Sequence, residues 1–133
     1  MDRLFLDANV LFSAAYGSPS LNRLWDLASN KKAILLTSAH AIEEARRNLE
    51  KKSHLDRLEH LINEVITVPE PVAEQTCPIS LDRKDVPVFM AALSSKATHF
   101  ITGDIRHFGK YFQKVIEGVL VCTPANYLNK QCS

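Results

Sequence analysis

The feature of this chain that most narrows its fold is the exchange of short, wholly apolar runs with longer segments of helical period. Leu4-Phe5-Leu6, Ile34-Leu35-Leu36, Val65-Ile66-Thr67-Val68, Phe100-Ile101-Thr102 and Val119-Leu120-Val121 are the runs, each of strand length. A strand with one solvated face alternates polar and apolar residues. A run that is apolar throughout belongs in the middle of a parallel sheet covered on both sides. Between the runs, helical period appears at about Ser20–Ser29, Ala39–Lys51, His54–Glu64, Lys84–Ala97 and His107–Gln113. A last helix starts at Pro124 after Thr123, since proline suits a first helical position. The stretch from Pro69 to Pro78 reads as irregular or weakly helical. The expectation is an α/β fold, a three-layer α/β/α sandwich around a central parallel sheet of four to five strands. With 133 residues there is length for one core, so residues 1–133 are read as a single domain.

Open parallel sheets take their ligands beyond the carboxyl ends of the strands, and acids stand there in this sequence. Asp7 directly follows Leu4-Phe5-Leu6, and Asp104 follows Phe100-Ile101-Thr102 after one glycine. Each also suits the cap of a following helix or turn. Helical geometry separates Glu43 from Glu44. Glu43 has Arg46 and Arg47 at i+3 and i+4, as on a solvated ion-paired face. Glu44 has Ala41, Ala45 and Asn48 around it and flanks the apolar stripe of Ile42, Ala45 and Leu49, which turns it towards the sheet. Asp85 opens a helix and shares a face with Phe89 and Ala92. It would act as a cap unless Asp82, three residues earlier, is the N-cap and leaves Asp85 to point over the strand ends. Asp7, Glu44, Asp85 and Asp104 would then converge, and four uncompensated anions in one pocket repel. A divalent cation removes the conflict, and an all-oxygen donor set favours Mg²⁺ or Mn²⁺ over zinc.

These segments also resemble the signature blocks of the PIN-domain nucleases: Leu6-Asp7-Ala8-Asn9-Val10-Leu11; Thr37-Ser38 followed by Glu44; Asp82-Arg83-Lys84-Asp85 with Pro87 and Ala91-Ala92; and Thr102-Gly103-Asp104. The closing Cys122-Thr123-Pro124-Ala125-Asn126-Tyr127-Leu128 is similar to the "TPxxFL" segment of the VapC-like branch, the toxin components of toxin–antitoxin pairs. Each block is weak alone; their order along almost the whole chain is specific. The resemblance implies a parallel sandwich whose acids bind one or two Mg²⁺ or Mn²⁺ ions and hydrolyse single-stranded RNA, leaving a 5′-phosphate and a 3′-hydroxyl. By motif position the acids would be Asp7, Glu44, Asp85 and Asp104, Thr102 their accompanying hydroxyl, and Asn9 a polar residue that orients Asp7 or a water. Many members carry a further acid just after the Thr-Gly-Asp block; here Ile105-Arg106-His107-Phe108 follows, which weakens the case for a tightly held second ion.

Sixteen basic against fifteen acidic residues leave a net charge of +1, so no global field announces a polyanionic partner. If four of the acids hold metal, the loaded protein is more positive than that count. Six acids between Glu59 and Asp85 face only Arg83 and Lys84, which concentrates negative charge in one stretch. Substrate phosphates need cations near the site, and Arg106 and Lys110, with Lys114 and the interleaved Phe108, Tyr111 and Phe112, are candidates. The plainer reading puts those aromatics in the core. Arg46, Arg47, Lys51 and Lys52 form a second basic group. His107 stands near the site and is either a proton donor to the leaving oxygen or a packed or exposed side chain. Leu21, Leu24 and Trp25 at helical spacing are core, or, if exposed, a face for a homodimer or an antitoxin protein.

Cys77, Cys122 and Cys132 are odd in number and lack zinc-site spacing, no apolar run approaches membrane-spanning length, and no leader pattern opens the chain. A reduced, cytoplasmic location without a membrane partner is expected. Two other functions fit parts of the sequence. A phosphatase with an aspartyl nucleophile would use Asp7, but such enzymes want a second aspartate where Asn9 stands. A catalytically weak or inactive protein of the same fold, binding RNA or a partner, would not need all four acids.

Overall fold

The computed structural model describes residues 1–71 and 76–129. Strand β1 (Asp2–Leu6) is followed by helices α1 (Ala8–Tyr16) and α2 (Pro19–Ser29), strand β2 (Ala33–Ser38), helices α3 (Ala39–Asn48) and α4 (Lys52–Ile62), and strand β3 (Ile66–Val68). Then come helix α5 (Val86–Ser94), strand β4 (His99–Ile101), the single-turn helix α6 (Ile105–Phe108) with a 3-10 turn (Gly109–Tyr111), strands β5 (Lys114–Ile116) and β6 (Val119–Cys122), and helix α7 (Pro124–Leu128). The sheet runs β3-β2-β1-β4-β6-β5, parallel except for β5, which pairs antiparallel with β6.

Consecutive residues of a strand face opposite sides of a sheet. Leu4, Phe5 and Leu6 are all fully buried, as are Phe100 and Ile101, so the central strands are covered on both faces, as a three-layer sandwich requires. Phe100 of β4 stacks on Phe5 of β1 at 5.7 Å between ring centres, meets Phe89 of α5 edge-on at 5.2 Å, and touches Phe108 of α6 at 4.9 Å. This aromatic group fixes α5 and α6 against the two strands whose ends carry Asp7 and Asp104. The same packing settles Phe108 as core. Trp25 and Leu24 are core too, with the Trp25 indole N–H donating to the Leu61 carbonyl at 2.9 Å.

The chain leaves β1 for β2 on one side and later returns to β4 on the other, so the connections diverge between β1 and β4, where such sheets open a crevice. The sheet has six strands rather than the four or five expected, because the polar-flanked Lys114–Ile116 pairs at an edge and never forms an apolar run. Helix α1 is not among the expected helices: Ala8–Tyr16 is apolar except for Asn9 and Ser13, so it has no polar face to give a period. Helix α5 is shorter than the expected Lys84–Ala97. Lys84 and Asp85 belong to the turn before it, and the Lys96 backbone sits at φ 58° just beyond its end. The expected His107–Gln113 helix is the turn Ile105–Phe108 followed by 3-10 geometry. Among the described residues no helix is long and apolar enough to cross a membrane. Glu74, Cys132 and part of the Pro69–Pro78 stretch lie outside the described residues.

Candidate active site

Beyond the carboxyl ends of β1 and β4 lies an open cleft of about 500 Å³, lined by Asp7, Asn9, Phe12, Glu44, Asn48, Lys84, Asp85 and Asp104 with Ala8 and Ala45. The four acids singled out in the sequence, from four separate segments, thus share one cavity. Asp7 sits at the base, 6% exposed, and is the N-cap of α1. Its Oδ1 accepts from the Ala8 N–H at 2.8 Å, and its Oδ2 accepts from the Thr102 hydroxyl at 2.8 Å and from the Asn9 amide at 3.0 Å. Capping and facing the cleft are therefore not alternatives for this residue: one oxygen does the first and the other remains at the site.

Asn9 and Thr102 tie the two strand ends together. The Asn9 Nδ2 also donates to Thr102 Oγ1 at 3.2 Å, the Gly103 N–H donates to Asn9 Oδ1 at 2.7 Å, and the Asp104 N–H donates to Thr102 Oγ1 at 3.1 Å. A carbon added at Gly103 would come within 3.3 Å of Asn9 Oδ1, so the glycine permits this close approach. Asp104 caps α6 through the His107 N–H at 3.0 Å.

Glu44 is half-buried on α3 while Glu43 is exposed and paired to Arg46 at 2.9 Å, as the helical phase requires. Asp85 occupies the N-cap position of α5 without capping it by its side chain. Of the two alternatives for the cap, Asp82 is not at the N-cap position. The Asp82 carbonyl instead accepts from the Asp85 N–H at 2.9 Å, and its carboxylate reaches His107 Nε2 at 3.0 Å. His107 Nδ1 lies 2.7 Å from Asp104 Oδ2 and 3.3 Å from Asp85 Oδ2. His107 is therefore neither simply packed nor exposed but stands among three carboxylates.

Burial pushes the Asp7 carboxyl up from its ordinary 3.8 to about 6, against the lowering effect of the Thr102 hydroxyl and the Ala8 N–H, and the charges of Asp85 and Glu44 add to the rise. Burial also raises Asp85; His107 and Lys84 counter this, while Asp104 and Glu44 reinforce it.

Arg106 and Lys110, expected to meet substrate, are exposed and do not line the cleft; the Lys110 ammonium lies over the Tyr111 ring at 5.2 Å. Lys84 is the base that does line it. A lysine at a helix start carries no periodic signal, and its adjacency to Asp85 was the only pointer in the sequence.

A PIN-domain family model matches residues 3–106. The chain belongs to the PIN-domain family. The family is one of nucleases, generally dependent on divalent metals. This PIN domain shares its fold with VapBC2 from Rickettsia felis, solved bound to a DNA fragment from their promoter, at a TM-score of 0.65 and 16% identity over 91% of this chain and 98% of that one. It is also similar in fold to FitAB bound to an IR36 DNA fragment, with a TM-score of 0.56 and 20% identity over 91% of this chain and 94% of that one. No curated protein matches the PIN domain in sequence.

Proposed function

We propose that this PIN domain is a Mg²⁺- or Mn²⁺-dependent endoribonuclease that hydrolyses single-stranded RNA, and that it serves as the toxin of a toxin–antitoxin pair in the cytoplasm. The observation that carries the activity is the convergence of Asp7, Glu44, Asp85 and Asp104 on one cleft at the switch point of a parallel sheet. The toxin assignment is supported by the likeness of fold to VapBC2 and FitAB and by the Cys122–Leu128 segment.

The residues fit a hard divalent cation. Asp85 Oδ2 is buried without a hydrogen-bond partner, and Asp7 is held above its ordinary range by burial and acidic neighbours; a cation relieves both. Asp7 and Asp104, with Asp85 and Glu44 directly or through water, would hold it, and their oxygens suit Mg²⁺ or Mn²⁺. When bound, such an ion supplies an activated water and offsets charge on the phosphate.

The chain's own residues do the rest. Thr102 and Asn9 fix the Asp7 oxygen that faces the site, so that its orientation is set before substrate arrives. Lys84 brings positive charge to an acidic cavity that a polyanion must enter, and is placed to meet a phosphate oxygen. Phe12 offers an apolar wall against which a base can stack.

The test is a panel of end-labelled single-stranded RNAs incubated with purified protein. Cleavage is expected with Mn²⁺ or Mg²⁺, absent with EDTA, and lost in Asp7→Asn. Equal cleavage by Asp7→Asn would remove the proposed site, and no cleavage of any RNA would favour a binding role for the fold.

A further inference from the structure

The face of α1 that enters the cleft continues beyond it. Asn9 and Phe12 line the cavity, and Tyr16 stands at i+7 and i+4 from them, on the same face and one turn further from the acids. Its ring centre lies 5.4 Å from that of Phe12 and 4.3 Å from that of His54 on α4, so three rings form a continuous aromatic stripe leading out of the cleft. Tyr16 is 57% exposed, which leaves a large aromatic surface that the core does not use. Arg57 stands beside the same stripe. It follows His54 by one turn of α4, and its Nη1 donates to the Ala15 carbonyl at 3.3 Å. Gly17, at φ 109°, makes room for it: a carbon added there would lie 2.7 Å from Arg57 Nη1.

A carbonyl partner leaves the guanidinium charge unneutralised. Among the described residues no carboxylate pairs with Arg57 or with the exposed Lys51 that opens α4, whereas Arg46 is taken up by Glu43 and Glu59. An aromatic stripe edged by unpaired cations and continuous with the cleft matches a single-stranded polyanion, whose bases stack and whose phosphates need counter-charge. We propose that Tyr16, His54 and Arg57 form a nucleotide subsite outside the acid cleft. One base of a single-stranded RNA packs on the Tyr16 and His54 rings, and an adjoining phosphate meets Arg57. At about 1.5 Å per residue, the nine residues of α1 carry Tyr16 about 13 Å from Asp7. The base held there is therefore not the one beside the bond cut but one further along the strand. The subsite rests on the nuclease reading for its ligand, and it uses none of the four acids.

Fluorescence anisotropy with short labelled single-stranded RNAs tests the subsite on Asp7→Asn protein, which should bind the strand without cutting it. On that background Tyr16→Ala is expected to weaken binding about 5- to 150-fold, while Tyr16→Phe keeps it. Arg57→Gln should lower the slope of log affinity against log salt by about 0.7. Tyr16 and Arg57 are both exposed, so these variants keep the fold. Abasic replacement at successive RNA positions separates stacking from a structural role: one position should weaken binding to the parent protein yet have no further effect in Tyr16→Ala. No RNA binding by the parent, undiminished affinity in Tyr16→Ala, or abasic effects equal in both proteins would overturn the subsite. Cleavage by the native protein with Mn²⁺ keeps the two readings apart. If it cuts RNA while Tyr16→Ala binds undiminished, the subsite fails and the nuclease reading stands. Tyr16-dependent binding without any cleavage would leave the subsite standing and remove the nuclease reading.

Discussion

Replacing Asp7 by asparagine should stabilise the metal-free protein at neutral pH while abolishing its function. The folded chain raises the Asp7 carboxyl from 3.8 to about 6. The folded state therefore holds this proton more tightly than the unfolded state does. Asp7 favours folding below pH 3.8, and that contribution is lost as the pH rises through about 6. At roughly 1.4 kcal/mol per pH unit the loss amounts to about 3 kcal/mol. Asparagine is never charged and escapes it. It has one carbonyl where aspartate has two oxygens, so either the Ala8 N–H or the Thr102 and Asn9 donors lose an acceptor, at a cost of about 1 kcal/mol. The net expectation in EDTA at pH 8 is a gain of about 2 kcal/mol, equivalent to about 6–10 °C in Tm for a chain of this size. Below pH 3.8 the order should reverse, with the variant less stable by about 1 kcal/mol. Urea unfolding of both proteins in EDTA at pH 3.5, 5, 6 and 8 measures this, since the shifts of acids remote from Asp7 cancel in the difference and the relief of Asp85 and Glu44 acts in the same direction. Added Mn²⁺ should stabilise the native protein more than the variant by mass action. A stability difference that does not change with pH, or a variant less stable at pH 8, would refute the reasoning.

Thr102→Val removes the hydroxyl that donates to Asp7 and accepts from Asp104 and Asn9; it should cost about 1–3 kcal/mol in urea unfolding and move the pH midpoint of Mn²⁺ binding upwards, since Asp7 loses a bond that favours its charged form. Lys84→Gln should raise the KM for RNA several-fold with little change in kcat, and reduce the slope of log affinity against log salt by about 0.7, the value for one phosphate contact on a single strand. Phe100→Ala, in the aromatic group beneath the site, should lose about 3–5 kcal/mol of stability by thermal unfolding.

The layout of the sandwich was legible because β1, β2, β4 and β6 are buried on both faces and so leave unbroken apolar runs in the sequence. Strand β5 was not, because an edge strand pairs through its backbone and needs no apolar signature; Val115 is 67% exposed within it. Helix α1 escaped for the opposite reason. It packs against α2, α3 and α4, and with Asn9 and Ser13 as its polar residues it lacks the polar face that reveals a helix. The four acids could be proposed from strand ends and helical phase, and Glu44 was separated from Glu43 by phase alone. Side chains whose roles depend on tertiary neighbours were harder to read. Lys84 lines the cleft from the turn ahead of α5, which begins at Val86. His107 meets Asp82 and Asp85 across a separation of more than twenty residues that no local pattern encodes.

The central claim, that acids from distant segments form one cation site, is tested most directly by calorimetric titration of Mn²⁺ and Mg²⁺ into the native protein, Asp7→Asn and Asp104→Asn. The account predicts that both ions bind the native protein and that each variant loses at least about 10-fold in affinity for Mg²⁺. Equal Mg²⁺ affinity in all three proteins would contradict it.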